Sequence, residues 1–491
     1  MQIPSRSASV HRQPSTLVVL QKIWGYTDFR PPQGEIVQTL LAGQDCLILM
    51  PTGGGKSICF QLPALLQDGL TLVVSPLVAL MENQVQELGQ RDPQLQRTIA
   101  CLHSELPKQQ RRDILWRLEN RKLRLLYLSP ETLLSPPVWE RLCQPNLQIN
   151  SLILDEAHCL SQWGDTFRPA YYRLGAVRPA LLRHKPTGER IAIAAFTATA
   201  DPQAQSTIQR ILQLQEPEIF RLNPYRSNLY LTAQTVWTTR GRRQQLLRFI
   251  QSQSGQAGLV YVRTRRDSEE LATWLSQAGY RTAAYHAGLG ADERRPIETD
   301  WIHNKLQFVV CTCAFGMGIN KPDVRWVVHF QPPLLLSEYV QEAGRAGRDG
   351  KPAIVLTLVS EPTGWLDPDD KVRWGYFQQQ EQKQWEVARQ LVKKLPLQGD
   401  VNSVAQQHRQ GLIALSLLHG AGQLEWVDPF HYVIYQRTVA TAFSQRTAVQ
   451  NMRQFIETKE CRWKFLIAAF GCSEEAALLG KGCGHCDRCQ K

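Results

Sequence analysis

The sequence contains no apolar run of the ~18 residues that a membrane-spanning helix needs, which argues against an integral membrane protein. Its first 16 residues are polar and carry no acidic side chain, but they lack the apolar core of a secretory signal. A transit peptide is the alternative there, although core-like sequence begins at Leu17 and favours a disordered tail over 1–16. The sequence also has no internal repeat of solenoid period and no long low-complexity segment, so it does not predict a repeat architecture.

The charge balance is basic. Lys and Arg number 56 against 44 for Asp and Glu, which gives a net charge of +12 and a pI of about 9.2. An excess of this size favours a polyanionic partner, either nucleic acid or an anionic membrane surface. The length of 491 residues is enough for about three domains, and 43% hydrophobic residues are enough for ordinary globular cores.

The cysteines are unevenly distributed. Seven of the 12 are scattered before residue 320, mostly in or beside apolar segments where free cysteine behaves as a small hydrophobe. The other five follow residue 460. Because an intracellular protein keeps its thiols reduced, this C-terminal group indicates a metal site more than disulfides.

Short apolar segments alternate with helical patterns in two stretches of the chain. The expected strands are 46–50, 70–75, 123–128, 152–154, 191–196, 259–262, 308–311, 324–330 and 354–358. Near-continuous apolar strands separated by helices indicate parallel sheets that are covered on both faces. We therefore predict an α/β fold with two tandem domains. Only the first has a phosphate loop, so we expect a nucleotide site completed across the cleft between them.

These patterns give a domain plan. After the tail we expect α/β domains over 17–225 and 226–360, with a hinge near 223–227, and then a helical connector over 361–400. The segment 401–440 reads as two short helices and a β-hairpin, which fits a winged helix and equally fits a generic α+β insertion. Residues 445–491 form the expected metal-binding module.

A phosphate-binding loop follows the first predicted strand and precedes a helical pattern. The residues expected to bind nucleotide there are Thr52, Gly53, Gly54, Gly55, Lys56 and Ser57. The glycines let backbone N–H groups face a polyphosphate, Lys56 reaches the β- and γ-phosphates, and Ser57 ligates Mg²⁺. The strict pattern asks for glycine where Met50 stands, so the match is imperfect.

Charged residues at two later positions suit phosphoryl transfer. Asp155 and Glu156 end the strand predicted at 152–154, where Asp155 could hold Mg²⁺ and Glu156 could orient the attacking water. In the segment 341–350, Arg345 and Arg348 are three residues apart, and one of them could reach the γ-phosphate as an arginine finger. Gln341, at the start of that segment, is a further candidate nucleotide contact.

With these motifs in order, the chain resembles the RecQ family of superfamily 2 DNA helicases over about 17–360 and at its final cysteines. Segments 71–80, 128–132 and 315–325 resemble further family motifs. The resemblance implies two RecA-like domains and implies Arg348 as the finger, with Arg345 beside it. It also implies that residues 24–33 recognise adenine, with Tyr26 stacking on the base and Arg30 and Gln33 hydrogen-bonding to it.

Residues 161–171 resemble the aromatic-rich loop that this family carries after its acidic box. The candidate nucleic-acid contacts are Gln162, Trp163, Phe167 and Arg168. Aromatic rings stack on bases of a single strand without sequence choice, and arginine pairs with phosphate. The alternative is that Trp163 and Phe167 belong to the core. The chain has Asp165 and Thr166 where the family usually has His-Asp, which leaves the coupling between DNA and ATP open.

The last cysteines resemble the family's zinc module. The expected ligands are Cys461, Cys483, Cys486 and Cys489, because four thiolates suit tetrahedral Zn²⁺. Cys472 or His485 could replace one ligand, so the fourth position is the least secure. Disulfides and an iron–sulfur cluster are the alternatives.

The resemblance implies an ATP-dependent DNA helicase that uses ATP, Mg²⁺ and Zn²⁺, moves 3′ to 5′ and acts in recombination or repair. Expected partners are single-stranded, forked or junction DNA, with single-strand-binding and recombination proteins. We expect it in the cytoplasm, at the nucleoid in a bacterium, and not secreted. An RNA helicase, a non-catalytic DNA-binding scaffold that holds ATP and a translocase with weak unwinding are the alternatives. The sequence ends two residues after Cys489, whereas longer members carry a winged helix there; the segment 401–440 could serve instead.

Overall fold

The computed structural model describes residues 16–490 apart from 52, 161–167, 316–320 and 436–445. In those residues, no helix is long and apolar enough to cross a membrane. The predicted α/β fold with two tandem domains is confirmed, and each predicted strand overlaps an observed one.

The first domain is built on a parallel sheet of seven strands in the order β3-β4-β2-β5-β6-β1-β7. Its strands are β1 Cys46–Leu49, β2 Leu70–Val74, β3 Ile99–Leu102, β4 Leu125–Leu128, β5 Ile149–Leu154, β6 Ala192–Thr197 and β7 Glu218–Arg221. Its helices are α1 Thr16–Trp24, α2 Gln33–Leu41, α3 Lys56–Leu66, α4 Val78–Arg91, α5 Lys108–Glu119, α6 Pro130–Leu133, α7 Pro136–Leu142, α8 Val177–Leu182 and α9 Pro202–Leu212. Short 3₁₀ segments cover Pro93–Arg97, Ala157–Leu160 and Pro169–Ala176.

Burial explains why the central strands are apolar at every position. In β1, Leu47 and Leu49 pack into the core on one face of the sheet, whereas Cys46 and Ile48 pack into the core on the other. A parallel sheet with helices on both faces buries both sets of side chains.

The second domain has a parallel sheet of six strands in the order β10-β11-β9-β12-β13-β8. Its strands are β8 Leu229–Val236, β9 Gly258–Tyr261, β10 Thr282–Tyr285, β11 Phe308–Cys311, β12 Trp326–His329 and β13 Ala353–Ser360. Its helices are α10 Thr239–Ser252, α11 Arg265–Gln277, α12 Ala291–Ile302 and α13 Leu336–Ala343.

A third unit follows, which we call the inserted module (residues 369–435). Its elements are α14 Asp369–Val392, β14 Gln398–Asp400, α15 Val401–Gln407, α16 Gly411–Gly420, β15 Leu424–Asp428 and β16 His431–Ile434. Two short helices and an antiparallel hairpin reproduce the predicted outline, and β14 adds a third strand beside β16. Val392 of α14 lies in one core with Val401, Leu415 and Trp426. The helical connector over 361–400 and the other domain boundaries stay predictions. That the module is a winged helix stays a prediction.

The C-terminal region returns to the second domain. Its helices are α17 Arg446–Glu457, α18 Arg462–Ala469 and α19 Ser473–Leu478. Phe455, Trp463 and Leu466 pack with Leu229 and Leu231 of β8 in one core. The region therefore covers a face of the second sheet that would otherwise be open to solvent.

Candidate nucleotide-binding cleft and metal centre

The phosphate loop lies between β1 and α3, as predicted. Gly53 and Gly55 have φ of +84° and +79°, values that side chains rarely adopt, and Gly55 caps the start of α3. A Cβ on Gly54 would lie 2.7 Å from Cγ of Met50, which is itself 1% exposed. The side chain of Met50 therefore fits in place of the expected glycine, because Gly54 has no Cβ that would collide with it. Thr52 lies outside the described residues.

Lys56 is the first residue of α3, and its buried ammonium group could bind an anion. Its Nζ is buried, lies 3.6 Å from Oε1 of Glu156, and has no hydrogen-bond partner among the residues the structure describes. A buried ammonium without hydrogen bonds is costly, so a phosphate oxygen would stabilise it. Ser57 follows in the first turn of the same helix, and its ligation of Mg²⁺ stays a prediction.

The two carboxylates that follow β5 differ in their electrostatics. Burial, followed by the neighbouring charge of Glu156, raises the pKa of Asp155 to about 6. Burial also acts to raise the pKa of Glu156, but the charges of Lys56 and His158 outweigh it and hold that pKa well below its usual range. A divalent cation at Asp155 would favour its ionised form, so the acidic pair fits Mg²⁺.

A hydrogen bond across the cleft joins the two domains at this point. Nε2 of Gln341, in α13, lies 3.1 Å from Nε2 of His158, and it also donates to Oγ1 of Thr199 at 3.4 Å. The other ring nitrogen of His158, Nδ1, lies 3.3 Å from Oε2 of Glu156 and 3.2 Å from Oγ1 of Thr197. Gln341 thus contacts the histidine beside the acidic pair, and its binding of nucleotide stays a prediction.

Arginines of the second domain face the same cleft. Arg345 is near enough to Glu156 to lower its pKa, and Arg348 lies beside Arg345 and Arg226. Burial first, and then the charge of Arg345, lowers the pKa of Arg348 to about 10. A half-buried group of like charges is stabilised by an anion such as the γ-phosphate.

Arg226 was not among the predicted site residues. Its guanidinium donates to the carbonyl of Gly344 at 3.2 Å and to that of Gly347, so it holds the turn that carries Arg345 and Arg348. The only sequence signal was its place in the hinge at 223–227, which gives no role to a side chain.

One of the three residues expected to recognise adenine, Gln33, forms hydrogen bonds within the protein. Gln33 begins α2 and is 5% exposed, and its amide donates to the carbonyl of Gly54 at 2.9 Å and accepts from the N–H of Arg30 at 3.0 Å. Gln33 therefore fixes the phosphate loop. Tyr26 and Arg30 are exposed nearby in sequence, and adenine recognition by these three residues stays a prediction.

Of the expected nucleic-acid contacts, only Arg168 is described. It forms an ion pair at 3.5 Å with Glu131 of α6, and both side chains are more than a third exposed. Gln162, Trp163 and Phe167 lie outside the described residues.

The structure brings together the four predicted zinc ligands. Sγ atoms of Cys461, Cys483, Cys486 and Cys489 all lie within 4.8 Å of one another, and two of the separations are 3.5 and 3.9 Å. Zn–S bonds of about 2.3 Å place tetrahedral sulfurs about 3.8 Å apart, so the cluster fits Zn²⁺ without a large adjustment. The thiols are not joined by disulfides.

The surroundings of the cluster also match a metal centre. A Cβ on Gly482 would lie 2.5 Å from Sγ of Cys489, so glycine is needed there. Burial raises the pKa of the Cys483 and Cys486 thiols, which a bound cation would reverse. Neither alternative ligand belongs to the cluster: Cys472 is buried elsewhere, and His485 packs against Tyr225.

Comparison with known proteins agrees with this geometry. Family models match at 30–207 (DEAD/DEAH box helicase), 241–350 (helicase conserved C-terminal domain) and 431–490 (RecQ zinc-binding). Together with the cleft and the four-cysteine cluster, these matches support the predicted ATP, Mg²⁺ and Zn²⁺ as cofactors.

Solved structures resemble the chain in fold. A helicase Lhr of Mycobacterium smegmatis bound to ssDNA and AMP-PNP is 18% identical, with a TM-score of 0.57 over 90% of this chain and 62% of that one. Mss116p bound to ssRNA and AMP-PNP is 15% identical, with a TM-score of 0.59 over 71% and 73%. At such identities the likeness shows the fold alone, which is that of two RecA-like domains.

Two relatives in sequence are closer. The ATP-dependent DNA helicase RecQ of Synechocystis is 50% identical over 96% of this chain and 97% of its own length. The ATP-dependent DNA helicase RecQ of Haemophilus influenzae is 38% identical over 73% of this chain and 56% of its own length. The chain therefore belongs to the RecQ family of ATP-dependent DNA helicases.

Proposed function

We propose that this protein is an ATP-dependent DNA helicase that couples ATP hydrolysis to translocation on single-stranded DNA and to duplex unwinding. The observation that carries the proposal is the convergence of Lys56, Glu156 and Arg345 beside the His158–Gln341 hydrogen bond. Residues of both domains meet there, so the site is complete only when the cleft is closed.

On the first domain, the residues divide the work of binding the nucleotide. Backbone N–H groups of the loop 53–55 and the ammonium of Lys56 hold the β- and γ-phosphates, as helix N-termini and lysines do for anions. Ser57 and Asp155 are the proposed magnesium ligands. Bound Mg²⁺ neutralises charge on the transferred phosphoryl group.

Glu156 is the proposed group that orients the attacking water and accepts its proton. Its lowered pKa keeps it ionised at neutral pH, which suits an acceptor. Arg348 is the proposed finger on the γ-phosphate and Arg345 its neighbour, both delivered by the second domain. Opening of the cleft would withdraw both arginines, so hydrolysis follows domain closure.

The proposed nucleic-acid contacts lie at the aromatic-rich segment after the acidic pair. Trp163 and Phe167 would stack on bases, and Gln162 would add a polar contact. Arg168 would exchange its exposed partner Glu131 for a phosphate, a small cost because exposed ion pairs contribute little. The segment begins five residues after Glu156, so contact with DNA has a short path to the hydrolytic site.

Several finer features rest on family resemblance. We infer 3′-to-5′ movement, forked or junction DNA as substrate, and a role in recombination or repair alongside single-strand-binding proteins. We also propose the cytoplasm, at the nucleoid, as its location. The fold does not favour the RNA helicase alternative over a DNA helicase, because the DNA-bound and RNA-bound neighbours resemble the chain to a similar degree.

Unwinding of forked duplexes tests the proposal. The substrates carry a single-stranded tail on the 3′ side, on the 5′ side or on neither, and a matched set is made of RNA. We expect ATP-dependent strand separation of the 3′-tailed DNA. Glu156→Gln, which keeps the side-chain shape, serves as the inactive control. Unwinding of the RNA set alone would establish the alternative.

A further inference from the structure

Helix α14 is unusual in having buried residues only near its two ends. Asp370 is buried, the next buried residue is Ala388, and every residue of this helix is described. The stretch between them includes Gln378, Gln379 and Gln382, which are exposed. Residues 378–384, in the middle of the helix, are polar at every position, whereas Trp374 packs against the core of the second domain and Trp385 against that of the first. A helical segment that is polar all round bridges separately packed units instead of covering a core.

The N-terminal end of α14 is anchored in the second domain by a buried arginine. The guanidinium of Arg242, in α10, is 0% exposed and donates to Asp367 at 2.8 and 3.0 Å and to Asp370 at 3.3 Å. Asp370 in turn accepts from the N–H of Ser360 at 2.8 Å. Paired buried charges of this kind fix the start of the helix, because separating them would leave an unpaired buried charge.

The C-terminal end of α14 is packed against the first domain. Ala388 lies in the same core as Tyr171 and Tyr172, and Val392 lies in a core with Ala176. The helix therefore runs from the second domain to the first, outside the cleft that holds the nucleotide site.

The rest of the inserted module is docked on the first domain as well. Arg210, in α9, donates to the carbonyls of His419 and Gly420 at 3.3 and 2.7 Å, and Arg173 donates to that of Pro429 at 3.2 Å. The ring of Trp139 meets that of Phe430 edge to face at 5.3 Å. The two bonds from Arg210 satisfy the last two carbonyls of α16, which have no partner within the helix.

This docking leaves α16 unable to read DNA. It is the second of two consecutive short helices, the position that enters the major groove in helix-turn-helix proteins. Yet no residue of this helix is exposed, Leu417 lies in the core of the first domain, and Ser416 donates to the carbonyl of Pro169 at 3.5 Å. The module would have to leave the first domain before this helix could enter a groove.

The docking surface includes the base of the aromatic-rich segment. The hydroxyl of Tyr172 donates to the carbonyl of Leu160 at 2.8 Å, so it joins the chain on the two sides of residues 161–168. The ring of Tyr172 also meets that of His419 edge to face at 6.3 Å. The module thus contacts a side chain that joins Leu160 to the chain after the segment.

We propose that α14 and the rest of the inserted module form a strut. The strut couples movement of the second domain to Leu160 and Tyr172 at the base of the aromatic-rich segment, and so to DNA contact. The inference rests on the proposed function. The helix spans about 36 Å at 1.5 Å per residue, and its stiffness is what carries the movement. The module is a positioning element in this account, not a reader of DNA.

Softening the exposed stretch of α14 tests the strut. The variant Gln378→Gly, Gln379→Gly, Gln382→Gly weakens the helix, and the matched variant with alanine at the same three positions keeps it stiff. We measure ATPase activity without DNA, ATPase activity at saturating single-stranded DNA, and DNA affinity without nucleotide. The glycine variant should lose about five-fold or more of its DNA-stimulated rate, a loss on the scale of typical coupling between sites. Its basal rate and DNA affinity should match those of the alanine variant.

Two results would overturn the strut. One is a DNA-stimulated rate in the glycine variant equal to that of the alanine variant. The other is an equal loss of basal and stimulated rates, because a positioning element spares basal turnover. Tyr172→Phe, which keeps the ring and removes the hydroxyl that donates to Leu160, should reproduce the selective loss. If the unaltered protein shows no stimulation by DNA, the proposed function fails and not the strut alone.

Discussion

Gln341 of the second domain lies 3.1 Å from His158 of the first, nitrogen to nitrogen, and the same histidine lies 3.3 Å from Glu156. The imidazole ring of His158 therefore lies between the amide of Gln341 and the carboxylate of Glu156. A single side chain thus separates the second domain from the carboxylate that we propose orients the attacking water.

Gln341→Ala should lower the ATPase rate by about ten-fold, the equivalent of one hydrogen bond of about 1.4 kcal/mol. The affinity for ATP should change less, because the amide contacts His158 and Thr199 on the protein side. Steady-state kinetics measure both quantities. Gln245→Ala, at an exposed position of the same domain, is the control. An unchanged turnover rate in Gln341→Ala would mean that this hydrogen bond does not matter in the closed state.

Arg348→Ala should reduce turnover by ~10³-fold or more if it is the arginine finger. Arg348→Lys should recover little, since a lysine cannot reproduce the planar fork. Single-turnover hydrolysis measures the chemical step alone. A loss of less than about ten-fold in Arg348→Ala, with a larger one in Arg345→Ala, would exchange the roles of the two arginines.

Arg226→Ala should lower turnover by an intermediate amount without abolishing it. The side chain holds the carbonyls of Gly344 and Gly347, so its loss frees the turn that presents both arginines. We expect the losses of Arg226→Ala and Arg348→Ala to be less than additive in the double variant, because Arg226 acts in part by presenting Arg348. Additive losses would show that Arg226 acts on its own.

Cys486→Ser should lower the zinc content below one ion per chain and reduce the melting temperature. The ligand sits beside Leu231 of the second sheet, so loss of the metal loosens a core that includes Trp463. Metal analysis and thermal unfolding measure the two effects. Cys472→Ser changes a buried thiol outside the cluster and should keep its zinc. Retention of full zinc by Cys486→Ser, or its loss from Cys472→Ser, would reassign the ligands.

The sequence predicted the architecture where local pattern and burial agree. Strands such as β1 and β9 are buried on both faces, so every residue is apolar and the pattern is unmistakable. The pattern does not predict β7, which has exposed residues on either side of Phe220, or β8 and β10, which are partly exposed. β3 is an exception, because it is buried at every position and is also not predicted. Prediction was thus strongest where both faces of the sheet are covered.

Site residues were predictable where one motif carries them. The phosphate loop and the cysteine spacing each specify a geometry through short-range chain constraints, and the structure assembles both. Contacts between distant segments gave no such signal: Gln33 binding the phosphate loop, Arg226 holding the arginine turn, and α14 joining the inserted module. Each depends on tertiary packing that a one-dimensional pattern does not contain.

The central claim is that a nucleotide site shared by two domains responds to a bound polynucleotide. The most direct measurement is the steady-state ATPase rate of the unaltered protein with and without saturating single-stranded DNA. The account predicts a clear rise in the rate when the DNA is present, and loss of both rates in Lys56→Ala. The same rate in the presence and absence of DNA would contradict it.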